Sequence, residues 1–261
     1  MVGRLKLGDF MRLHSILFAT VALAGAASPA IAAPAPSHVY ELNGSLADAL
    51  GGPAASLVGS PTLGATGVSF LAGQGLSLSS ADFSDGQTFS IAVDFRFDDL
   101  IRYNRILNFD GSDNGLYIHQ GDGLGAPAVN YYHSVAYNGA TFTTGDMHQL
   151  LFTRDADGIS VYLDGIDALD TAAFSSSAVS GAVKLFLDDQ TEMAPSGFVN
   201  SVCTFNSKLG AGDAAALAAG GSCGNALQGS GVPEPASWAL LVGGFGLVGS
   251  AMRGRRVAFA R

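Results

Sequence analysis

The 261-residue sequence has few charged residues, few glutamates and only two cysteines. Charged residues make up 13% of the chain, against about 25% in an average soluble domain. Three glutamates stand against nineteen aspartates. This composition is unlike the Glu-, Lys- and Leu-rich composition of helical bundles and coiled coils, which are therefore excluded. With 48% hydrophobic residues, the chain is also not wholly disordered.

Positive charge is scarce in the middle of the chain. Seven of the 13 Lys and Arg residues lie in the two terminal segments. From Ala33 to Gly231, six basic residues stand against 20 acidic ones, a net charge of −14. Binding to nucleic acid depends on clustered Lys and Arg, so the composition excludes a nucleic-acid partner.

Residues 1–32 have the three parts of a secretory signal peptide. The basic start contains Arg4, Lys6 and Arg12. The apolar run 16–24 follows, and an A-x-A cleavage site ends at Ala32. The sequence therefore predicts export through the Sec translocon and removal of the leader by signal peptidase. Translation could also start at Met11, and an N-terminal membrane anchor is the alternative, although the apolar run is short for a span.

The C-terminal segment has the features of a single membrane helix. The uncharged run 236–252 holds 17 residues, about 25 Å as a helix, and arginines follow it. Positive residues favour the cytoplasmic side, so the large domain is expected in the periplasm on a precursor tethered to the inner membrane. A linker at 226–232 precedes this segment.

Residues 233–256 resemble the PEP-CTERM sorting signal in its PEPxxWA form. The residues that carry the resemblance are Pro233, Glu234, Pro235, Trp238, Arg253, Arg255 and Arg256. The resemblance implies a Gram-negative envelope protein whose tail is recognised and cut near Pro-Glu-Pro by an exosortase, a membrane cysteine transpeptidase. The mature form would then be at the cell surface or secreted. An ordinary single-pass anchor with a coincidental Pro-Glu-Pro is the alternative.

Short segments of alternating hydrophobicity fill the chain between the two tails. From Phe89 to Phe97 every odd residue is large and apolar, which predicts a strand with one buried face. Further strands are expected at 68–71, 75–78, 105–109, 115–119, 128–133, 149–154, 159–163, 183–187 and 198–205. Many short strands at this spacing predict an antiparallel β-sandwich or barrel. One helix is expected, at 213–219.

The segment 148–165 predicts a β-hairpin around the turn Asp155-Ala156-Asp157-Gly158. It resembles the hallmark of the LamG-like, concanavalin A-like family. The matching residues are Thr153, Asp155, Gly158, Tyr162, Asp164 and Gly165, while Met147 replaces the usual Trp. The opening segment 40–48 is similar to the family's first strand, and 185–199 with 209–217 to its last strands and closing helix. The resemblance implies an all-β, antiparallel jelly-roll β-sandwich over residues 38–225.

The resemblance also implies a structural Ca²⁺ held by oxygens of the first and last strands. The carriers would be Asp188 and Asp189, together with Asn43 or Asp48. Carboxylate and backbone oxygens are the ligands that Ca²⁺ prefers. The alternative is that the two neighbouring aspartates end a strand at a turn, where Asp is favoured.

The sequence favours a non-catalytic protein. Hydrolases of the resembled fold use a Glu-x-Asp-x-x-Glu strand, which is absent, and Glu41 and Glu192 lie far apart. The histidines show no H-E-x-x-H spacing, so no zinc protease site is expected. A glycan-active enzyme that uses a pair of aspartates is the alternative.

Cys203 and Cys223 are expected to form a disulfide, since both lie in the part of the chain predicted to be exported. Closing a loop of this size would stabilise the fold by about 3 kcal/mol. Free thiols or a metal-binding pair are the alternatives.

A group of aromatic and polar residues is the predicted ligand-binding surface: Asn130, Tyr131, Tyr132, His133 and Tyr137. Exposed rings stack on sugars, and amides bond to their hydroxyls. Packing of the rings in the core is the alternative. The sequence thus predicts an exported binding or adhesion module associated with exopolysaccharide or matrix. The alternatives are a structural matrix protein without a ligand and the aspartate-pair enzyme.

Overall fold

The computed structural model describes residues 34–83, 86–109, 115–120, 127–131, 140–171, 179, 181–187, 195–220 and 223. These residues form an all-β fold of two antiparallel sheets, consistent with the predicted β-sandwich. No helix of this part of the chain is long and apolar enough to cross a membrane. The predicted signal peptide, the linker and the sorting signal lie outside the described residues.

The strands are β1 (His38–Tyr40), β2 (Ser56–Val58), β3 (Thr62–Leu63), β4 (Val68–Phe70), β5 (Gly75–Leu78), β6 (Phe89–Phe97), β7 (Tyr103–Phe109), β8 (Gly115–His119), β9 (Ala128–Tyr131), β10 (His148–Asp155), β11 (Gly158–Leu163), β12 (Ile166–Thr171), β13 (Val183–Leu185) and β14 (Gly197–Phe205). A 3-10 turn (Ser80–Asp82) follows β5, and helix α1 (Ala211–Gly220) follows β14. Sheet A has the order β12-β11-β10-β6-β14-β4-β3, and β1 also pairs with β14. Sheet B has the order β2-β5-β13-β7-β8-β9.

The main core lies between the two sheets. The odd-numbered residues of β6, from Phe89 to Phe97, are all fully buried in it, as the alternation predicts. The expectation of a single buried face is wrong, because Ser90, Ala92 and Asp94 on the other face are buried too. Phe70 of sheet A stacks on Phe186, next to β13 of sheet B, with ring centroids 4.3 Å apart. Such aromatic contacts join the sheets and bury large apolar areas.

The predicted hairpin is confirmed. Strands β10 and β11 pair from Leu150 with Leu163 to Asp155 with Gly158. The Oδ1 atom of Asp155 accepts hydrogen bonds from the backbone N–H groups of Asp157 and Gly158, at 2.9 and 3.2 Å. Gly158 has φ +144°, in the region that favours glycine.

Three strands were not predicted: β2, β3 and β12. In β12 the alternation is broken, because a bulge opposite Val161 and Tyr162 adds one residue to its pairing with β11. The successive residues Ala168 and Leu169 are therefore both buried. The opening segment 40–48 was expected as the first strand, but β1 ends at Tyr40, and Leu42 turns the chain with φ +52°.

Helix α1 packs on the outer face of sheet A, where a second apolar cluster forms. Ala214 and Leu217 of the helix are buried there beside Ala92 and Leu151. The structure contains the predicted disulfide between Cys203 of β14 and Cys223, with Cα atoms 5.7 Å apart. The disulfide therefore ties the chain just after α1 to the sheet beneath the helix.

Candidate functional site

A cavity of about 450 Å³ lies beside α1 on the outer face of sheet A, and we call it the α1 groove. Its lining residues are Asp94, Met147, His148, Gln149, Asp164, Phe198, Asn200 and Ala218. Strands β6, β10 and β14 form the floor, and α1 contributes one wall through Ala218. The lining combines carboxylates and amides with an aromatic ring and a thioether.

A β-bulge in β14 shapes this floor. Val199 pairs with Phe95 and Ser201 with Asp94, so Asn200 is the additional residue. Its Nδ2 atom donates to the carbonyl oxygen of Thr66 at 2.7 Å, which fixes the side chain. Bulges commonly re-aim side chains near functional sites. Here the added residue turns Ser201, which a regular strand would point to the same face as Val199, to the outer face beside Asp94.

Asp94 is the buried carboxylate of the groove, with 8% of its surface exposed. The strand register places it between Gln149 of β10 and Ser201 of β14. Gln149 Nε2 donates to its Oδ1 at 3.1 Å, and Ser201 Oγ donates to its Oδ2 at 2.9 Å. Burial raises the pKa of Asp94, and these hydrogen bonds only partly oppose the rise.

His148 and Asp164, which both line the groove, form an ion pair. His148 Nδ1 lies 2.7 Å from Asp164 Oδ2, and His148 Nε2 lies 2.9 Å from the carbonyl oxygen of Thr143. The backbone N–H of Gln149 donates to Asp164 Oδ1 at 2.8 Å. Burial alone would lower the pKa of His148, but the bonds to Asp164 and Thr143 outweigh it and raise that pKa. Burial alone would raise the pKa of Asp164, but the hydrogen bonds from His148 and the Gln149 N–H hold that pKa below its usual value.

The His148 pair predicts a pH-dependent stability. Because the pKa of His148 is raised by folding, its stabilising contribution is complete below pH ~6.5 and is lost as the pH rises through the raised value. We expect the free energy of unfolding, measured by denaturant titration, to fall over this window in the wild type. The His148→Gln variant keeps a hydrogen-bond donor but does not titrate, so its profile is expected to be flatter. Parallel profiles would contradict the assignment.

The predicted aromatic surface is wrong for the residues that the structure describes. Tyr131 is fully buried and stacks on Phe152 of the core, with ring centroids 6.1 Å apart. The alternation of β9 points Val129 and Tyr131 into the core, which is the alternative considered from the sequence. Asn130 is 6% exposed. Tyr132, His133 and Tyr137 lie outside the described residues.

Asp48, one of the predicted calcium ligands, has a structural role in the turn after β1. Its Oδ1 atom accepts from the N–H groups of Val39 and Leu50, and its Oδ2 atom accepts from Gly52 N–H and lies 2.9 Å from His38 Nδ1. A carboxylate has about four acceptor positions, so these contacts use all of them. The carboxylate thus fixes the turn after β1.

Asn43, Asp188 and Asp189 are the other predicted calcium ligands. Asn43 donates to the Glu41 carboxylate at 2.8 Å. Asp188 and Asp189 lie outside the described residues. The described ranges contain no group of three or more His, Cys, Asp or Glu that could hold a metal ion.

Sequence reasoning did not find the α1 groove, although parts of it were visible. His148 and Asp164 lie in the segment that carries the LamG-like resemblance, and Asp94 interrupts the apolar strand Phe89–Phe97. Asp is unfavourable in a strand interior, which was a usable signal. Phe198 and Asn200 gave no signal, because the face on which they lie becomes a groove only where α1 docks beside it.

No family model and no curated protein matches the chain. Among solved structures, it is similar to domain 4 of AbnA, a GH43 extracellular arabinanase from Geobacillus stearothermophilus, in complex with arabinotriose. The TM-score is 0.54 at 17% identity, over 71% of this chain and 99% of that domain. It is also similar to Trypanosoma rangeli sialidase in complex with sialic acid, with a TM-score of 0.55 at 16% identity, over 69% of this chain. The chain spans 32% of the length of that sialidase. These similarities show a shared fold.

Proposed function

We propose that the chain is an exported, non-catalytic carbohydrate-binding module of the cell envelope, and that the α1 groove binds the glycan. The lining of the groove carries the proposal, because it places amide and carboxylate groups beside an aromatic ring. Sugars present hydroxyls, which hydrogen-bond to the polar groups, and apolar C–H faces, which pack on rings. The volume of about 450 Å³ lies within the range of small-molecule sites.

The fold similarity supports a glycan ligand without identifying it. The AbnA domain, which this chain matches over 99% of the domain's length, is in complex with arabinotriose. Association with exopolysaccharide or another envelope glycan is the role we infer for this chain. Its acidic composition, net −14 from Ala33 to Gly231, disfavours polyanionic glycans.

A glycan microarray probed with the full-length chain tests the proposal. The chain should be kept in a detergent without a sugar headgroup. We expect retention on neutral or amine-bearing glycans and a weaker signal for Phe198→Ala, which removes the ring of the groove. Absence of binding across the array, or equal binding by the variant, would contradict a glycan site in the α1 groove.

A glycan hydrolase is the second candidate function, and one observation favours it. Asp94 and Asp164 line the same cavity, and folding raises the pKa of Asp94 and lowers that of Asp164. Opposite shifts are typical of an acid and a base in glycosidases. Against this role, both oxygens of Asp164 already accept hydrogen bonds, from His148 and the Gln149 N–H. Release of reducing ends from a glycan that binds, abolished in Asp94→Asn, would support the hydrolase.

Export and sorting are proposed from the two tails. Intact mass spectrometry of the protein recovered from its native envelope should show a species that begins near Ala33 and ends near the Pro233-Glu234-Pro235 triplet. A species that retains the segment 236–261 would contradict exosortase processing and leave an ordinary membrane anchor.

A further inference from the structure

Two charged side chains in or beside the α1 groove have charged partners in the described part of the chain. His148 pairs with Asp164 at 2.7 Å. Arg96, on the same strand as Asp94, lies 5.6 Å from the centroid of the Phe198 ring, and its Nε atom pairs with Asp98 at 2.7 Å. No Lys or Arg is among the residues that line the groove.

Asp94 differs from these two, because its hydrogen-bond partners in the described part of the chain are neutral. They are the Gln149 amide, the Ser201 hydroxyl and the backbone N–H of Cys223. A buried carboxylate without a cation is costly, since neutral donors replace only part of its hydration. A cationic group bound in the groove would therefore stabilise the charged form of Asp94.

The carboxylate also retains room for one more donor. A carboxylate offers about four acceptor positions, and the described residues occupy three of those of Asp94. A sugar ammonium carries three N–H donors and a positive charge, so it can fill the remaining position and supply the counterion. A sugar carboxylate would instead face the uncompensated charge of Asp94, since the charge of Asp164 is balanced by His148. The electrostatics of the groove therefore favour an amine over a hydroxyl and a hydroxyl over an acid.

We propose that the α1 groove selects glycans that carry a free amino group and that Asp94 is the counterion of the sugar ammonium. This inference rests on the glycan-binding function proposed above and names the chemical class of its ligand. Phe198 and Asn200 then contact the sugar ring, and Asp94 selects sugars whose ring carries an amino group.

Two trisaccharides that differ at one position test the inference. Chitotriose and cellotriose are both β-1,4-linked trimers, and chitotriose carries an ammonium at each C2 where cellotriose has a hydroxyl. Calorimetric titration of the full-length chain is done at the highest pH at which the sugar amines are still charged, because the raised pKa of Asp94 would neutralise this carboxylate at a more acid pH. We expect at least tenfold tighter binding of chitotriose, since hydrogen bonds between charged partners are the strong ones.

Asp94→Asn should reduce this preference to about threefold or less, because the amide keeps the shape but loses the charge. Asp157→Asn is the matched control. It removes an equal charge from the exposed turn at the other end of β10, about 20 Å away, and should leave the preference unchanged. Loss of the preference in both variants would indicate general attraction to an acidic protein and would overturn the inference.

The inference and the proposed function fail in different ways. Equal binding of the two trimers, or no binding of chitotriose, overturns amine selection. If Phe198→Ala still weakens binding to a neutral glycan on the microarray, the glycan-binding function stands. If the microarray shows no glycan bound at the groove, the proposed function fails as well.

Discussion

Removing the disulfide is expected to lower the free energy of unfolding by about 3 kcal/mol, the value for closing a loop of this length, and to abolish glycan binding. Cys203 and Cys223 are 20 residues apart and both fully buried. The disulfide holds the chain just after the C-terminal end of α1. This helix contributes only Ala214 and Leu217 to the apolar cluster on the outer face of sheet A. Without the covalent tie, so small an apolar contact is expected to hold the helix weakly.

The loss of binding follows from the position of α1 in the groove. Ala218 forms part of the groove wall, and the carbonyl oxygen of Leu217 accepts a hydrogen bond from Gln149 Nε2 at 3.3 Å. The N–H of Cys223 also stabilises the charge of Asp94. Denaturant unfolding and glycan titration of the Cys203→Ala/Cys223→Ala double variant, beside reduced wild type, measure both effects. Unchanged binding would show that the groove does not need the tethered helix.

Two phenylalanines on opposite faces of sheet A should respond very differently to the same substitution. Phe95 is fully buried, with the rings of Phe97, Phe142 and Phe186 at 5.1 to 5.8 Å between centroids. Phe95→Ala is expected to cost about 3–5 kcal/mol of unfolding free energy, because it leaves a cavity in the core. Many such variants no longer fold fully, so the temperature of unfolding is the first measurement.

Phe198→Ala is the matched variant on the outer face. Its ring is partly exposed and lines the α1 groove, so we expect a loss of less than about 1 kcal/mol in stability. Glycan binding should weaken by at least about tenfold, in line with the effect of removing an aromatic anchor. A large loss of stability with unchanged binding would place Phe198 in the packing of the fold instead of in the site.

Much of the fold was predictable because local patterns agree with it. The alternation in β6 identifies the central strand of sheet A, the Asp-Gly turn fixes the β10–β11 hairpin, and the two cysteines form the expected disulfide. The strands that were missed are short, as in β2 and β3, or interrupted by a bulge, as in β12. Neither the short strands nor the bulged strand shows a clear alternation of apolar and polar residues in the sequence.

The residues that carry the LamG-like resemblance have identifiable structural roles. Asp164 accepts hydrogen bonds from His148 and from the backbone of Gln149, which joins the turn after β11 to the start of β10. Asp155 closes the hairpin turn and contacts Lys208 at 3.0 Å. These roles explain why the motif predicts a fold better than it predicts a ligand.

The candidate site could not be predicted because it depends on tertiary structure. The aromatic segment at 130–137 was the better candidate by composition, but the period of β9 turns Tyr131 into the core. The α1 groove forms where a bulge at Asn200, the buried Asp94 and the wall of α1 meet. Those residues are as much as 124 positions apart in the chain, from Asp94 to Ala218, so only the strand pairing and the docked helix reveal the groove.

Hydrogen–deuterium exchange of the full-length chain, with and without a glycan retained on the array, tests the central claim most directly. If the α1 groove is the binding site, the glycan should slow exchange in β10, β14, the segment of β6 around Asp94, and α1. Protection confined to sheet B, in β7, β8 and β9, would contradict the account and place the glycan on the opposite face of the sandwich.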